Sequence, residues 1–416
     1  MDERYQDTAQ FIIENENADT AKLLFSAKKF PNVNISYAVR AIEARRKIKN
    51  RVPSWYAVPD LIFPESLPLE QCSSEATASY KSQFVSMGAS VADMTGGLGV
   101  DTSFFARRAG SVDYFERNPQ LIECAEHNFK RLELDRTVSI HHSELSVSIL
   151  QQLAMSFDLV FLDPARRGKG GSKVFTLGDC EPNLLELKDA IFGCTDNVLV
   201  KLSPMADISV LKEEVNEIKR IDIVSVDNEC KELLLHLEKG CDILLGDIPI
   251  YAVNLPGKFG DAALDVGGFS EFCFTINGEK EAAAEMFSSA LGDVDGRELF
   301  LYEPNKSILK GGAFKSVAVR FGLKKVDVNT HLYVSERFVG NFPGKVFKVM
   351  RLMDFNKSAI KELRAVVTGA SVTARNLPID SNALRVKLSL KEDDSVHIFA
   401  CTAFGGYKKL FLTSRL

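Results

Sequence analysis

At 416 residues the chain is too long for one ordinary core, so two or three domains are expected. Hydrophobic residues make up 45% and charged residues 26%, a soluble globular balance, and no apolar run reaches the roughly 18 residues that a membrane helix needs. The formal net charge of −5 is unevenly placed: residues 337–416 carry fourteen Lys and Arg against six Asp and Glu, leaving 37 against 50 in the rest. A basic C-terminal module on an acidic body fits a polyanionic partner as well as it fits a solvated basic face. The start MDERYQDTAQ lacks the positive and apolar regions of a secretory signal, so a cytoplasmic location is expected. Eight cysteines without a CxxC pair, and six histidines without ligand spacing, give no expectation of a disulfide framework or a metal site.

Residues 1–85 read as a helical N-terminal region, because LLFSAKK, YAVRAIEARRKIKNRVPSW and SSEATASYKSQFV place apolar residues three and four apart. The proline-rich PDLIFPESLPLEQ reads as a linker or extended arm. From Ser90 the period changes. SVADM, SVDYFE, TVSIHH, FDLVFLD, NVLVKLS and IDIVSV are short β-branched and aromatic runs, several separated by helical patterns such as NPQLIECAEHNFKRL. That alternation predicts an α/β fold over residues 86–240, a doubly wound, Rossmann-like parallel sheet. ELLLHLE follows IDIVSV too closely for a crossover, so the seventh strand is expected to be antiparallel.

Residues 241–330 read as a small α+β, ferredoxin-like region, with strands at YAVNL, EFCFTIN and ELFLYE and a helix broken at Gly311-Gly312. Residues 331–416 read as a basic α+β domain with an antiparallel sheet, from LYVSER, KVFKVM, HIFACTAF and KLFLTS and the helical SAIKELRAVV and SNALRVKL.

The first strand of the α/β region ends in ADMTGGLGVDTSFF, where Asp93 closes the strand and Gly96, Gly97 and Gly99 form a turn before a helix starting near Asp101. Such a turn lets a ligand approach the backbone beside free helix N–H groups, although tight strand-to-helix packing explains it equally well. The second strand ends at Glu116, about 20 residues on, where a carboxylate can bind both hydroxyls of an adenosine ribose. The same geometry suits NAD. However, GGLGVD does not fit GxGxxG, and Asp93 stands where a dinucleotide site is usually apolar. Asp93 is better matched to the cationic amino acid end of S-adenosylmethionine.

DMTGGLGVD, YFE, FDLVFLDPARRG and VLVKLSPMADI together resemble the class I S-adenosylmethionine-dependent methyltransferases, with their seven-stranded sheet. More narrowly, with LEQCSSEATASYK, ARNLPIDSNALRVKL and HIFACTAF, the chain is similar to a bacterial RNA methyltransferase-like group carrying a THUMP-like C-terminal domain, here residues 331–416. The resemblance implies S-adenosylmethionine as cofactor, contacts to it at Asp93, Gly96, Gly97, Gly99 and Glu116, and a catalytic motif from Asp163 to Arg166. Thr95 and Asp101 in the same turn join the candidate set. THUMP-type domains imply RNA, commonly tRNA, as substrate class. Many relatives hold the adenine amino group with an Asp after the third strand; here SIHHSELSV offers Ser143 or Glu144.

The corner Asp163-Pro164 allows three chemistries. In amino methyltransferases an Asp or Asn followed by Pro-Pro and an aromatic orients the exocyclic nitrogen for attack; here Ala165 and Arg166 take the last two places. Uridine C5 methylation needs a cysteine nucleophile at the end of the next strand, where this chain has Leu202, so that chemistry is set aside. Ribose 2′-O-methylation uses a Lys-Asp-Lys-Glu group. Asp163 and Lys201 end adjacent predicted strands as it requires, with Lys81 and Glu232 as partners, although Lys81 lies closer in sequence to the glycine turn than expected.

Arg166, Arg167 and Lys169 form a basic loop suited to an RNA phosphate, or simply a charged glycine-rich loop. In the tail, Lys345, Lys348, Arg375, Lys408 and Lys409 interleave with aromatics and are candidate RNA contacts. The sequence therefore reads as an RNA methyltransferase for tRNA or rRNA, acting foremost on a base amino group oriented by Asp163 without a covalent intermediate. Ribose 2′-O-methylation through Asp163 and Lys201, methylation of a protein glutamine amide, and a non-catalytic RNA-binding scaffold are the alternatives.

Overall fold

The computed structural model describes residues 3–64, 71–153, 156–166, 177–257, 268–288 and 298–416. They group into two compact units, the first formed by 1–220, 232–243 and 255–268 and the second by 221–231, 244–254 and 269–416.

The first unit opens with helices α1 (Glu3–Glu14), α2 (Thr20–Phe25), α3 (Ile35–Arg51), α4 (Pro53–Tyr56) and α5 (Glu75–Ser82). Asp19, Asn34 and Ser74 each cap a following helix by accepting a backbone N–H, the usual use of a short polar side chain at that position. These helices do not stand apart from the α/β region. Ile48, Val52, Trp55 and Ala78 share one buried cluster with Leu98, Val100 and Phe104 from the glycine-turn segment. The buried Trp55 indole also donates to Ser103 Oγ at 3.2 Å.

The sheet strands are β1 (Ser90–Asp93), β2 (Ser111–Glu116), β3 (Val138–His142), β4 (Leu159–Leu162), β5 (Asn197–Leu202), β6 (Ile218–Val226) and β7 (Glu229–Glu238), with helices α6 (Val100–Phe105) and α7 (Pro119–Arg131) after β1 and β2. These seven belong to a nine-stranded sheet, in which they run in the order β3-β2-β1-β4-β5-β7-β6. The pairs from β3 to β5 are parallel, and β5 with β7 is antiparallel, as the short connection between the last two strands predicts. Asp227 and Asn228, both at positive φ, make that connection; Asn and Asp tolerate this conformation. Two registers place the site. Asp93 lies opposite Tyr114 and Phe161, and Leu162 lies opposite Val200, so the next residues, Asp163 and Lys201, come side by side.

The second unit contains the antiparallel pair β8 (Ile250–Leu255) and β9 (Ser270–Phe274). It also contains β10 (Phe300–Pro304), β11 (Tyr333–Ser335), β12 (Gly344–Asp354), β13 (Ser371–Arg375), β14 (His397–Ala403) and β15 (Tyr407–Arg415). A two-residue strand at Lys324–Lys325 opens their sheet, which continues β11-β10-β12-β15-β14-β13. The helix predicted to break at Gly311-Gly312 does so: α8 (Lys306–Gly311) ends on Gly312 at φ 78°, and α9 (Ser316–Phe321) follows. One expectation needs correction. The C-terminal sheet is not wholly antiparallel, because β13 runs parallel to β14. Helix α10 (Ser381–Leu388) bridges the two as a crossover, which a parallel pair requires.

Candidate active site

The carboxyl ends of β1, β2 and β4 open on a cleft of about 710 Å³ within the first unit. That volume suits a cofactor-sized ligand. The cleft is lined by the whole turn from Asp93 to Asp101, by Phe115 to Asn118, by Ser143 to Val147, and by Asp163, Ala165 and Glu181. Every candidate cofactor residue thus reaches one site.

The three glycines have different reasons. A Cβ on Gly96 would sit 2.1 Å from the Tyr114 ring, and one on Gly99 would sit 2.6 Å from Phe129, so both make room for aromatic packing. Gly97, at φ 55°, has only the Thr95 carbonyl within 4 Å of such a Cβ, so its strain is purely backbone and its open side faces the cleft. Tyr114 locks the turn further by donating its hydroxyl to the Gly97 carbonyl at 2.6 Å.

Asp93 is buried, with Oδ1 accepting from the Thr95 N–H at 3.1 Å and Oδ2 from the Thr102 hydroxyl at 2.6 Å. Burial pushes its carboxyl up to about 7, the nearby Asp101 and Asp163 carboxylates add to the rise, and the Thr102 and Thr95 bonds oppose it. Glu116 is aimed by two backbone amides, Gly97 N–H at 2.9 Å and Asn118 N–H at 2.8 Å, leaving lone pairs on both oxygens for a diol. Ser143 and Glu144 sit on the wall, and Glu144 is held by Arg117 at 3.1 Å, which also binds Glu181 at 2.5 Å.

Thr95 ties the turn to the Asp163 corner, its Oγ1 accepting the Asp163 N–H at 2.6 Å. The Asp163 carboxylate, about one-third exposed, pairs with Lys201 Nζ at 2.5 Å. Behind them lies a buried ionic cluster. Lys81, fully buried, has its ammonium 3.1 Å from Glu232 Oε1, 3.0 Å from Asp101 Oδ1 and 2.7 Å from Ser73 Oγ. Burial opposes the charge on Lys201, but the carboxylates of Asp163, Glu232 and Asp101 outweigh it and hold the ammonium charged, above the ordinary lysine range. Burial also pushes the Glu232 carboxyl up, against the lowering pull of Lys81 and Lys201.

The structure therefore brings Lys81, Asp163, Lys201 and Glu232 together, although Lys81 looked too near the glycine turn in sequence. Helix α5 resolves the difficulty by packing beside α6 and carrying Lys81 in from that side. Pro164 is buried at the corner, and Ala165-Arg166 pairs in antiparallel fashion with Cys180-Glu181. Arg167 and Lys169 lie outside the described residues, as does the side chain of Arg166. Sequence reasoning missed Ser73, Arg117 and Glu181: Ser73 falls within the quoted LEQCSSEATASYK but has no spacing that marks it as a site residue, and neither has a lone Arg or Glu.

The tail candidates are scattered through the second unit. Lys348 pairs with Glu298 at 2.8 Å, Arg375 with Glu303 at 2.7 Å, and Lys409, buried, with Asp354 at 2.8 Å. Lys345 is half-buried, and Lys408 is exposed beside the exposed Tyr407.

Residues 300–343 match a family described as a ferredoxin-like domain, and residues 344–415 match one described as THUMP domain-like. A Porphyromonas gingivalis W83 crystal structure, of a protein named as a candidate methyltransferase, is 29% identical over all of this chain and 98% of its own, with a TM-score of 0.85. The strand order β3-β2-β1-β4-β5-β7-β6, with one antiparallel strand, accompanies these matches. The chain joins a class I methyltransferase fold to a THUMP-like domain. An uncharacterized RNA methyltransferase of Mycoplasma mobile is 36% identical over 87 residues, 21% of this chain, so the chain spans about a quarter (23%) of that curated relative.

S-adenosylmethionine is the cofactor of the class I methyltransferase fold. The cleft fits it chemically. Among the described residues, seven lining residues are carboxylates, including Asp93, Asp101, Glu116 and Asp163, against one cation, Arg117. A buried acid raised to about 7 beside two further acids favours a cationic ligand, and the cofactor brings both an ammonium and a sulfonium. Glu116 would hold its ribose and Asp93 its cationic end.

Proposed function

We propose that this S-adenosylmethionine-dependent methyltransferase acts on structured RNA, tRNA or rRNA, and that its acceptor is a ribose 2′-hydroxyl. The observation that carries the choice of atom is Lys201, held charged against Asp163 where β4 and β5 end, with the buried Lys81 and Glu232 behind it. Attack by an amine nitrogen places positive charge on the acceptor, which a fixed ammonium penalises. Attack by a hydroxyl develops negative charge on oxygen as its proton leaves, and the same ammonium stabilises that charge.

The cofactor, when bound, supplies an electrophilic methyl group. Asp163 accepts the hydroxyl's hydrogen bond and takes its proton as the oxygen–carbon bond forms and the carbon–sulfur bond breaks, while Lys201 faces the developing oxyanion. Lys81 and Glu232 are too buried to meet substrate and keep Lys201 in place.

RNA is supported by the THUMP-like match, by the net basic residues 337–416, and by the name of the partly matching Mycoplasma relative. A second reading, methylation of a base amino group, is favoured by one feature: Thr95 fixes the Asp163 backbone and so aims the carboxylate of an Asp-Pro corner. Nucleoside mass spectrometry of RNA from cells with and without the gene tests the proposal. Loss of one 2′-O-methylated nucleoside supports it; loss of a base-methylated nucleoside instead moves the assignment to the second reading, and an unchanged profile removes RNA.

A further inference from the structure

The buried cluster contains one group whose position neither the motifs nor the family matches assign. The Ser73 hydroxyl donates to Asp101 Oδ2 at 2.7 Å, accepts from Lys81 Nζ at 2.7 Å, and lies 3.4 Å from Lys201 Nζ. A serine hydroxyl has one proton and two lone pairs, so these three contacts use it completely. Ser73 is 4% exposed and lies on the wall of the cleft, so the hydroxyl sits between the cofactor-sized cavity and the buried ion pairs.

We propose that Ser73 is a positioning residue for the transfer reaction, joining the cofactor side of the site to the acceptor side; the inference rests on the function proposed above. Three facts point the same way. Asp101 lies in the first turn of α6 after the glycine turn and lines the cleft, Lys201 holds Asp163, and the neutral Ser73 hydroxyl contacts both. Two ammonium groups also converge on this one oxygen, with the carboxylates of Asp101, Asp163 and Glu232 offsetting their repulsion. Ser73 itself is fixed from the chain: it immediately precedes Ser74, the cap of α5, and Arg51 holds the Cys72 carbonyl just before it. With the hydroxyl gone, Lys201 is free to turn from Asp163 toward Glu232, and the acceptor site loses its charge at the place where oxygen must develop it.

The test compares Ser73→Ala with the hydroxyl-retaining Ser73→Thr in the full-length chain. Tritiated S-adenosylmethionine and total RNA from cells lacking the gene serve as probes. Ser73→Ala is expected to lose 10- to 100-fold in kcat, with cofactor Kd within about threefold of wild type, while Ser73→Thr recovers most of the rate. An activity-independent readout is the Lys201 ammonium signal in NMR, assigned by its loss in Lys201→Arg. Its proton exchange should quicken at least tenfold in Ser73→Ala and stay slow in Ser73→Thr. A folded Ser73→Ala protein with unchanged Lys201 exchange overturns the positioning role, as does a kcat within twofold of wild type. Failure of the wild type to label any RNA, with the exchange result as expected, instead overturns the function proposed above and leaves the positioning supported.

Discussion

Replacing Asp93 with Asn should stabilise the protein at alkaline pH while weakening its hold on the cofactor. Burial raises the Asp93 carboxyl from 3.8 to about 7, with the Asp101 and Asp163 carboxylates adding to it. Because the folded value exceeds the unfolded one, the folded state binds the proton more tightly. Its stabilising effect is complete below about pH 4 and is lost as pH rises through about 7. Each unit is worth about 1.4 kcal/mol, so roughly 1.5 units between pH 5.5 and 7 correspond to about 2 kcal/mol of stability that the wild type loses and a neutral Asn does not. The amide oxygen can still accept from the Thr95 N–H, and the amide nitrogen can donate to the Thr102 oxygen once that hydroxyl turns its proton away. Denaturant unfolding of cofactor-free wild type and Asp93→Asn at pH 5.5 and pH 8 measures the difference. The variant's advantage should grow by about 2 kcal/mol across that interval. Calorimetry at pH 8 should show cofactor affinity falling 10- to 100-fold, the worth of about 1.5–3 kcal/mol for a charged hydrogen bond. A variant whose stability follows the wild-type pH dependence in parallel would refute the claim that Asp93 is an acid strained by burial.

Asp163→Ala should abolish methyl transfer and leave cofactor Kd within about threefold, read by tritium incorporation and calorimetry; loss of both together would assign Asp163 to the cofactor. Gly96→Ala should lower stability by about 1–3 kcal/mol or more, because its Cβ meets the Tyr114 ring at 2.1 Å, whereas Gly97→Ala should cost only about 1 kcal/mol from its φ of 55°, both measured by thermal unfolding. Lys81→Met should cost about 3–5 kcal/mol by leaving Asp101 and Glu232 unpaired in the interior, and adding Glu232→Gln should recover part of it. Lys345→Glu with Lys408→Glu should weaken RNA binding and reduce its logarithmic salt slope by about 1.5–2, by filter binding at several salt concentrations. Charge reversal is preferable to truncation near Arg337, which would strip β12 from β10.

The alternation of strands and helices, the reversed seventh strand and the break at Gly311-Gly312 were all legible, because each rests on periodicity or on a local conformational rule. Strand β13 was not, since SVTAR is short and half-buried throughout, and its parallel pairing depends on where α10 crosses. The glycine turn was visible as a turn, but its reasons were not. Gly96 and Gly99 answer to Tyr114 and Phe129, which lie 18 and 30 positions further along the chain. The partnership of Asp163 with Lys201 followed from adjacent strand ends. The placement of Ser73 did not, because only the packing of α5 beside α6 brings this serine, one of an adjacent pair, between two lysines.

The central claim is transfer of a methyl group to a ribose oxygen of RNA. Its most direct test incubates the purified protein with tritiated S-adenosylmethionine and RNA from cells lacking the gene, then hydrolyses the RNA in alkali. A 2′-O-methyl group removes the nucleophile that alkali needs to cut the neighbouring phosphodiester. Label in an alkali-resistant dinucleotide is the expected result; label in ordinary mononucleotides, or none in RNA, would contradict the account.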